Sequence, residues 1–304
     1  MGEPRAGRKA HGWLAIAAAL IVSAGQGLAA PSAADGVQVT ERRAGAQTEL
    51  VLENGLVSLT VTPRLGGSLS EIMLRQTGPS DARAPSTVSG KLFLDFAAGQ
   101  TDPGDWSASA YSYEIPEGDA DESSVHVRRK GATGPAQYIT IHKTYVLKRG
   151  DARVRVDYRI ENDAGAVNPV TLEYCFRCTM AGKSVAPKCF LPAEGGVQAW
   201  AAASAGPREM SVTPAKPWLA VQPGPAGGVG LGLAFGSPDL ERFHVAAGEG
   251  ASSVAWRFKP VSIKAGSQLA ASVYLIPMRG LTDAGNALAP GIAAAMERQA
   301  EEIR

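Results

Sequence analysis

The sequence predicts an all-β domain with a short C-terminal helix, on three observations. From Val37 to Tyr274 the chain is a succession of short alternating or β-branched runs, separated at close intervals by Gly, Pro, Asn and Asp. Within it Val154, Val156, Tyr158 and Ile160 alternate with Arg153, Arg155, Asp157, Arg159 and Glu161, which is the pattern of a strand with one dry face and one wet face. Only after Pro290 does the period lengthen to that of a helix.

Taken in order, residues 1–30 predict a secretory leader. Arg5, Arg8 and Lys9 form a basic start, Trp13 to Val22 an apolar run, and Gly27, Ala29 and Ala30 a small-residue cleavage region. The run is shorter than the roughly 20 residues that span a bilayer, and no cysteine stands near the cleavage region to carry a lipid. The expectation is a secreted or periplasmic protein with no membrane insertion after cleavage. The whole chain carries a net charge of +1; removing Arg5, Arg8, Lys9 and Glu3 leaves a domain, residues 35–304, at about −1. With no basic block, nucleic acid is not an expected partner.

The clearest hairpin joins Tyr138–Lys148 to Ala152–Glu161 through Arg149, Gly150 and Asp151, a triplet that serves a tight turn rather than adhesion. A further strand is predicted at Val170–Thr179, with Val170, Leu172, Tyr174, Phe176 and Cys178 on one face. Thr171, Glu173, Cys175, Arg177 and Thr179 take the other. Gly228–Phe235, Ser253–Phe258 and Gln268–Ile276 continue the β character, and 101–124 is the longest excursion. The helix is expected over Gly291–Arg304, with Ile292, Met296, Gln299 or Ala300, and Ile303 on one stripe, either capping a sheet edge or fraying.

Cys175 and Cys178 sit three apart in one strand, on opposite faces, so they are poorly placed to bond each other. Cys189 is then the available partner, and the apolar-facing Cys178 is expected to pair with it, leaving Cys175 free. No His stands within thirty residues of these cysteines, so no metal site is expected there. Asp119, Asp121 and Glu122 lack the glycine turn and terminal Glu of a calcium loop. No phosphate-cradling glycine loop and no G-x-S-x-G elbow occurs, and no cofactor is expected.

Asn54-Gly55-Leu56-Val57-Ser58-Leu59-Thr60-Val61-Thr62-Pro63-Arg64-Leu65-Gly66-Gly67 resembles the opening of the galactose mutarotase (aldose 1-epimerase) superfamily, where a strand of the type N-G-x-V-x-L-x-V-x-P-x-x-G-G leads into a second strand. Pro217–Val221 followed by Gly228–Phe235 resembles a strand pair of secreted members. Ile263–Ser267, leading into Ser272–Pro277, resembles the closing strand. The resemblance implies an antiparallel β-supersandwich whose concave sheet binds a carbohydrate ligand. It also implies an acid His on the strand that Pro169–Gly182 matches, a position held here by Cys175. Arg64 matches a position near a sugar-contacting arginine.

His142, in mid-strand with Thr140 and Thr144 on its face, is therefore the candidate acid–base residue, with Glu173 as its carboxylate. His126 and His244 form no visible dyad. Carbohydrate-binding candidates are Arg64, Glu173 and Arg177, the basic pair Arg257 and Lys259, and Trp106, Tyr111 and Tyr113, whose rings are suited to stacking on sugars. Three readings stand: a secreted carbohydrate-binding protein without a catalytic pair, an epimerase-like or polysaccharide-processing enzyme on the same scaffold, and a structural protein with a vestigial cleft.

Overall fold

The computed structural model describes residues 36–75, 86–97, 105–163, 170–172, 174–181, 188–201, 209–223, 228–237, 239–248, 251–283 and 287–303. The chain divides into Met1–Ala30 and Pro31–Arg304, and every described residue belongs to the second unit. The predicted leader lies outside the described residues.

In chain order the first strands are β1 (Gln38–Ala44), β2 (Gln47–Glu53), β3 (Val57–Thr62), β4 (Ser68–Leu74) and β5 (Ser86–Ala97). Helix α1 (Asp105–Ala108) precedes β6 (Ser112–Glu114), β7 (Glu122–Lys130), β8 (Ile139–Lys148) and β9 (Val154–Asn162). Next come β10 (Val170–Leu172), β11 (Tyr174–Ala181), β12 (Lys188–Ala193), β13 (Gly196–Ala201) and β14 (Glu209–Val212). The last are β15 (Trp218–Gln222), β16 (Val229–Phe235), β17 (Leu240–Gly248), β18 (Ala251–Phe258), β19 (Val261–Ile263), β20 (Gln268–Arg279) and helix α2 (Ile292–Glu302).

Among the described residues these strands form two nine-stranded sheets and a two-stranded ribbon, β10–β19. The first sheet runs β1-β2-β3-β4-β5-β11-β18-β17-β14, the second β13-β12-β15-β16-β20-β9-β8-β7-β6, and their described pairings are antiparallel. The expected hairpin is β8–β9, turning at Gly150 with φ +70°. The expected strand Val170–Thr179 is instead divided: β10 pairs with β19 in the ribbon while β11 enters the first sheet between β5 and β18.

The inward faces of the two sheets supply one apolar core. Leu50, Leu59 and Ile72 come from the first sheet; Ile141, Val156, Leu233 and Leu275 come from the second. Each fully buried side chain of this size stabilises the fold by about 1.5–3 kcal/mol. Aromatic rings bridge the sheets edge-on, Phe235 against Trp256 at 5.2 Å and Phe93 against Tyr145 at 6.4 Å.

Two polar devices interrupt this core. Asn54 is wholly buried; its Oδ1 accepts from the amides of Leu56 and Val57, and its Nδ2 donates to the carbonyls of Lys148 and Asp151. One carboxamide thereby fastens the β2–β3 turn to the β8–β9 hairpin, which gives the Asn of the N-G-x-V motif a physical role. Deeper in, Lys143 Nζ lies 2.7 Å from Asp95 Oδ2 and donates to the carbonyls of Gly66 and Phe93, while the Tyr111 hydroxyl donates to the same Asp95 oxygen. Burial pushes the Asp95 carboxyl up, against the pull of Lys143 and Tyr111. The Gly66-Gly67 turn reaches this network because its residues have φ +68° and +56° and leave no room for side chains: a Cβ on Gly66 would lie 2.9 Å from the Ser107 carbonyl.

Helix α2 does not cap an edge. It lies on the outer face of the second sheet, where Met296 and Ala300 pack with Phe190, Trp218, Ala220 and Ala234 in a satellite core. The alternating glycines of β16 permit this approach, since a Cβ on Gly232 would sit 2.6 Å from Met296 Sδ. Arg153 ties the helix down through Gln299 and Glu302. The helix thus covers the β15–β16 side of that face and leaves β20-β9-β8-β7-β6 for the site.

Candidate functional site

Strand alternation sends one set of side chains from these five strands into the core and the other outward. The register then aligns the outward set into rows. Glu114, His126, Thr144, Asp157 and Ser272 are successive cross-strand partners from β6 to β20. The next row is Ser112, Arg128, His142, Arg159 and Ala270, and beyond it come Lys130, Thr140, Glu161 and Gln268.

The first row, with His142, Arg159 and Ala270 of the second, lines an open cleft of about 480 Å³, with Glu114, His126, His142, Thr144, Asp157 and Arg159 as its polar walls. Pro116 and Ala270 add apolar surface. At its centre His126 and His142 lie with ring planes 4° from parallel, centroids 5.2 Å apart, and Nε2 of the first 3.0 Å from Nδ1 of the second. So long a centroid separation with so short a nitrogen contact puts both nitrogens on the line between the ring centres. The rings therefore meet edge to edge in one plane, as hydrogen-bonded imidazoles, and not face on face.

His142 Nε2 lies 3.0 Å from Glu161 Oε2, and an Arg159 terminal nitrogen lies 3.2 Å from His142 Nδ1. Arg159 also pairs with Glu161 at 3.0 Å. Asp157 accepts from Ser272 Oγ at 2.7 Å and from Arg155 Nε at 2.9 Å. Burial holds both imidazoles below their ordinary value; Arg159 acts in the same direction on each, whereas Glu114 opposes it at His126 and Glu161 at His142. The arrangement offers alternating donors and acceptors with one titratable pair in the middle.

No protein-family model matches the chain, and no curated protein matches it in sequence. Solved structures do match in fold. A galactose mutarotase-like protein from Clostridium acetobutylicum aligns with a TM-score of 0.58 over 80% of this chain and 99% of its own, at 8% identity. An aldose 1-epimerase-type protein from Klebsiella pneumoniae aligns at 0.57 over 88% and 87%, at 12% identity. A galactose mutarotase related enzyme from Lactobacillus acidophilus aligns at 0.52 over 76% and 98%, at 6% identity. The fold is galactose mutarotase-like. Identities this low carry the fold alone.

On the galactose mutarotase-like scaffold the expected site residues separate. His142 is in the cleft, but its carboxylate is Glu161 on the adjacent strand; Glu173 lies outside the described residues. His126, read in the sequence as having no dyad, is hydrogen-bonded to His142. Trp106 and Tyr111 are not exposed stacking rings: Trp106 is fully buried, and Tyr111 is buried with its hydroxyl spent on Asp95. Both plug the end of the sandwich because the turn around α1 folds back onto β5. Tyr113 is half-exposed on β6 and within hydrogen-bonding reach of Glu41, on the other side of the strand from Glu114.

Arg64 is exposed on the β3–β4 turn, donates to the Ala46 carbonyl at 3.2 Å, and does not line the cleft. Arg257 is on β18 of the first sheet, where the register sets it opposite both Cys175 and Arg242, and Glu241 lies 3.5 Å from it; Lys259 follows the end of that strand, its amide donating to the Asp239 carbonyl. Arg177 is on β11 opposite Leu94 and Ala255. The expected basic positions Arg177 and Arg257 thus lie on the sheet opposite to the one that carries His126 and His142.

The expected Cys178–Cys189 disulfide is corrected. Cys189 is a free thiol, fully buried on β12 of the second sheet among Trp200 and Val221, while Cys178 belongs to β11 of the first. Burial pushes the Cys189 thiol up to about 12. Asp119, weighed as a cation ligand, accepts from the amides of Asp121 and Glu122 and closes its own turn.

Proposed function

We propose that the protein is an exported carbohydrate-binding protein that seats a sugar in the cleft of the second sheet. The observation that carries this reading is the double row of hydroxyl, carboxylate, imidazole and guanidinium groups crossing five strands, beside the apolar surface of Pro116 and Ala270. Sugars present hydroxyls that both donate and accept, on rings with apolar faces, and such a lining meets both needs. The volume falls within the range of small-ligand sites. The galactose mutarotase-like fold, shared with proteins named for sugar chemistry, supports the same ligand class. The basic start, apolar run and small-residue region of residues 1–30 support export.

A second reading, an enzyme moving protons on the sugar, is favoured by one observation: the His142 imidazole is hydrogen-bonded to a carboxylate at 3.0 Å. A glycan-array screen followed by anomer-exchange NMR separates the two. Binding with exchange no faster than in buffer supports recognition; accelerated exchange that disappears in His126→Ala supports the enzyme. Absence of any bound glycan overturns both. N-terminal sequencing of the protein recovered from outside the cytoplasm, beginning near Pro31, tests export.

A further inference from the structure

An open sheet ends in two edge strands, and each offers a row of backbone N–H and C=O groups to any other strand that approaches it. Among the described residues the edges are β1 and β14 in the first sheet and β13 and β6 in the second. Three of them are guarded. β1 carries Glu41, Arg42 and Arg43, all exposed; β6 is only three residues long; β14 is only four, opens on the exposed Glu209 and is followed by Pro214. β13, Gly196-Val197-Gln198-Ala199-Trp200-Ala201, has neither a charge nor a proline, and every residue in it except Trp200 is exposed. Val197, 42% exposed, is one of the few large apolar side chains left open to solvent among the described residues.

Which backbone groups of β13 face outward is fixed by its neighbour β12. The Pro192 carbonyl accepts from the Ala215 amide, in the segment that leads into β15, and so points away from β13. Pro192 and Val197, which the register sets opposite each other, are therefore a pair without hydrogen bonds between them. Alternation then turns the N–H and C=O of Val197, Ala199 and Ala201 toward the open edge, while Gly196, Gln198 and Trp200 keep theirs for β12. The cross-strand pairing of Ala199 with Phe190 puts the side chains of Val197, Ala199 and Ala201 on the outer face, beside the satellite core under α2.

We propose that β13 is a self-association edge, at which two copies of this chain pair antiparallel about a two-fold axis at Ala199. Centred there, Ala199 exchanges both backbone bonds with Ala199 of the second copy, and Val197 exchanges both with Ala201 of the second copy. Every outward group of one copy is met by the same set on the other, so the strand is its own complement. Gln198 lies opposite Trp200 of the second copy, and small apolar side chains face one another at the other positions. A second copy is the occupant this strand fits: self-pairing sets no like charges opposite each other, and an uncharged row has nothing with which to select a charged partner strand. The contact closes on itself, because the remaining edges are guarded, and gives a dimer and not a fibre.

The test is sedimentation velocity of the full chain over a wide range of protein concentration. Expected is a species of twice the chain mass that dissociates on dilution. Ala199→Lys sets two ammonium groups opposite each other at the axis, and Ala199→Pro removes the central donor. Each should weaken association at least about tenfold while leaving the far-ultraviolet spectrum unchanged, since neither touches the bonds to β12. The register is read by crosslinking: Ala199→Cys should link to itself under mild oxidation, because bonded opposite positions hold their Cα atoms about 5.5 Å apart. Val197→Cys should link only when mixed with Ala201→Cys, and peptide mapping identifies each bridge. A chain that stays single at every concentration overturns the inference. So does a dimer that survives Ala199→Lys and yields no bridge at residue 199, which would assign the contact to another surface.

Discussion

The imidazoles of His126 and His142 share one plane, Nε2 of the first 3.0 Å from Nδ1 of the second, so that β7 and β8, paired along their backbones, are also joined by one hydrogen bond between titratable rings. Both pKa values are held below the ordinary 6.5, chiefly by burial. The unfolded chain therefore binds more protons than the folded one over the window just below 6.5, and stability is lost there as the pH is lowered. Thermal unfolding at pH 7.5 and 5.5 should give a lower Tm at the acid end. The drop should shrink in His126→Gln/His142→Gln, and an unchanged drop in that variant would assign it to other groups.

The Lys143–Asp95 pair is buried between the sheets, where each charge depends on the other. Lys143→Met alone should cost about 3–5 kcal/mol, because it strands Asp95 without its cation. Lys143→Met combined with Asp95→Leu should recover most of that loss in urea unfolding, as apolar replacement of a whole buried pair often does. A double variant as unstable as the single one would mean that the Gly66 and Phe93 carbonyls, and not the ion pair, are what the fold needs.

How much of this was legible in the sequence depends on what each feature required. The β9 strand was legible because Val154 to Glu161 has one wet face, and alternation alone marks it. The fold family was legible through Asn54, Gly66 and Gly67, whose places are dictated by turns. The His126–His142 contact was not, because it needs the exact pairing of two strands joined by residues 131–138, where Gly134 and Tyr138 take φ of +57° and +78°. Trp106 and Tyr111 misled because a non-periodic segment gives no sign of which side is dry. Cys189 misled because the inter-sheet assignment of β11 and β12 cannot be read from spacing.

Asn54→Ala deprives two buried amides, Leu56 and Val57, of their acceptor and two carbonyls of a donor. Roughly 1–3 kcal/mol for each unsatisfied buried group is the expected scale. The loss should also appear as faster amide exchange at the β8–β9 turn, far along the chain from the substitution. Exchange confined to the β2–β3 turn would disprove the fastening role.

Truncation before Ile292 uncovers Phe190, Trp218, Ala220 and Ala234. The shortened protein should bind a hydrophobic dye and show red-shifted tryptophan emission, while retaining the far-ultraviolet signature of its sheets. No change in dye binding would show that the satellite core is dispensable.

Cys189, fully buried and with its thiol pushed up to about 12, should resist alkylation in the folded protein and react fully in denaturant. Peptide mapping after native and denatured labelling reads this directly. Modification of Cys189 under native conditions would place it at an accessible surface.

Lys143 and His142 are neighbours in β8, yet one enters the sandwich and the other the cleft. Sliding β8 by a single residue would exchange them, setting an imidazole beside Asp95 and an ammonium in the seat between His126 and Glu161. No half-way phase exists, since the pleat has only two sides. The interior charge therefore works as a keying tooth: it admits the strand in one phase, and that phase alone delivers the imidazole to its partners outside. What the cleft can do with a proton is decided, in this molecule, from the dry side of the sheet.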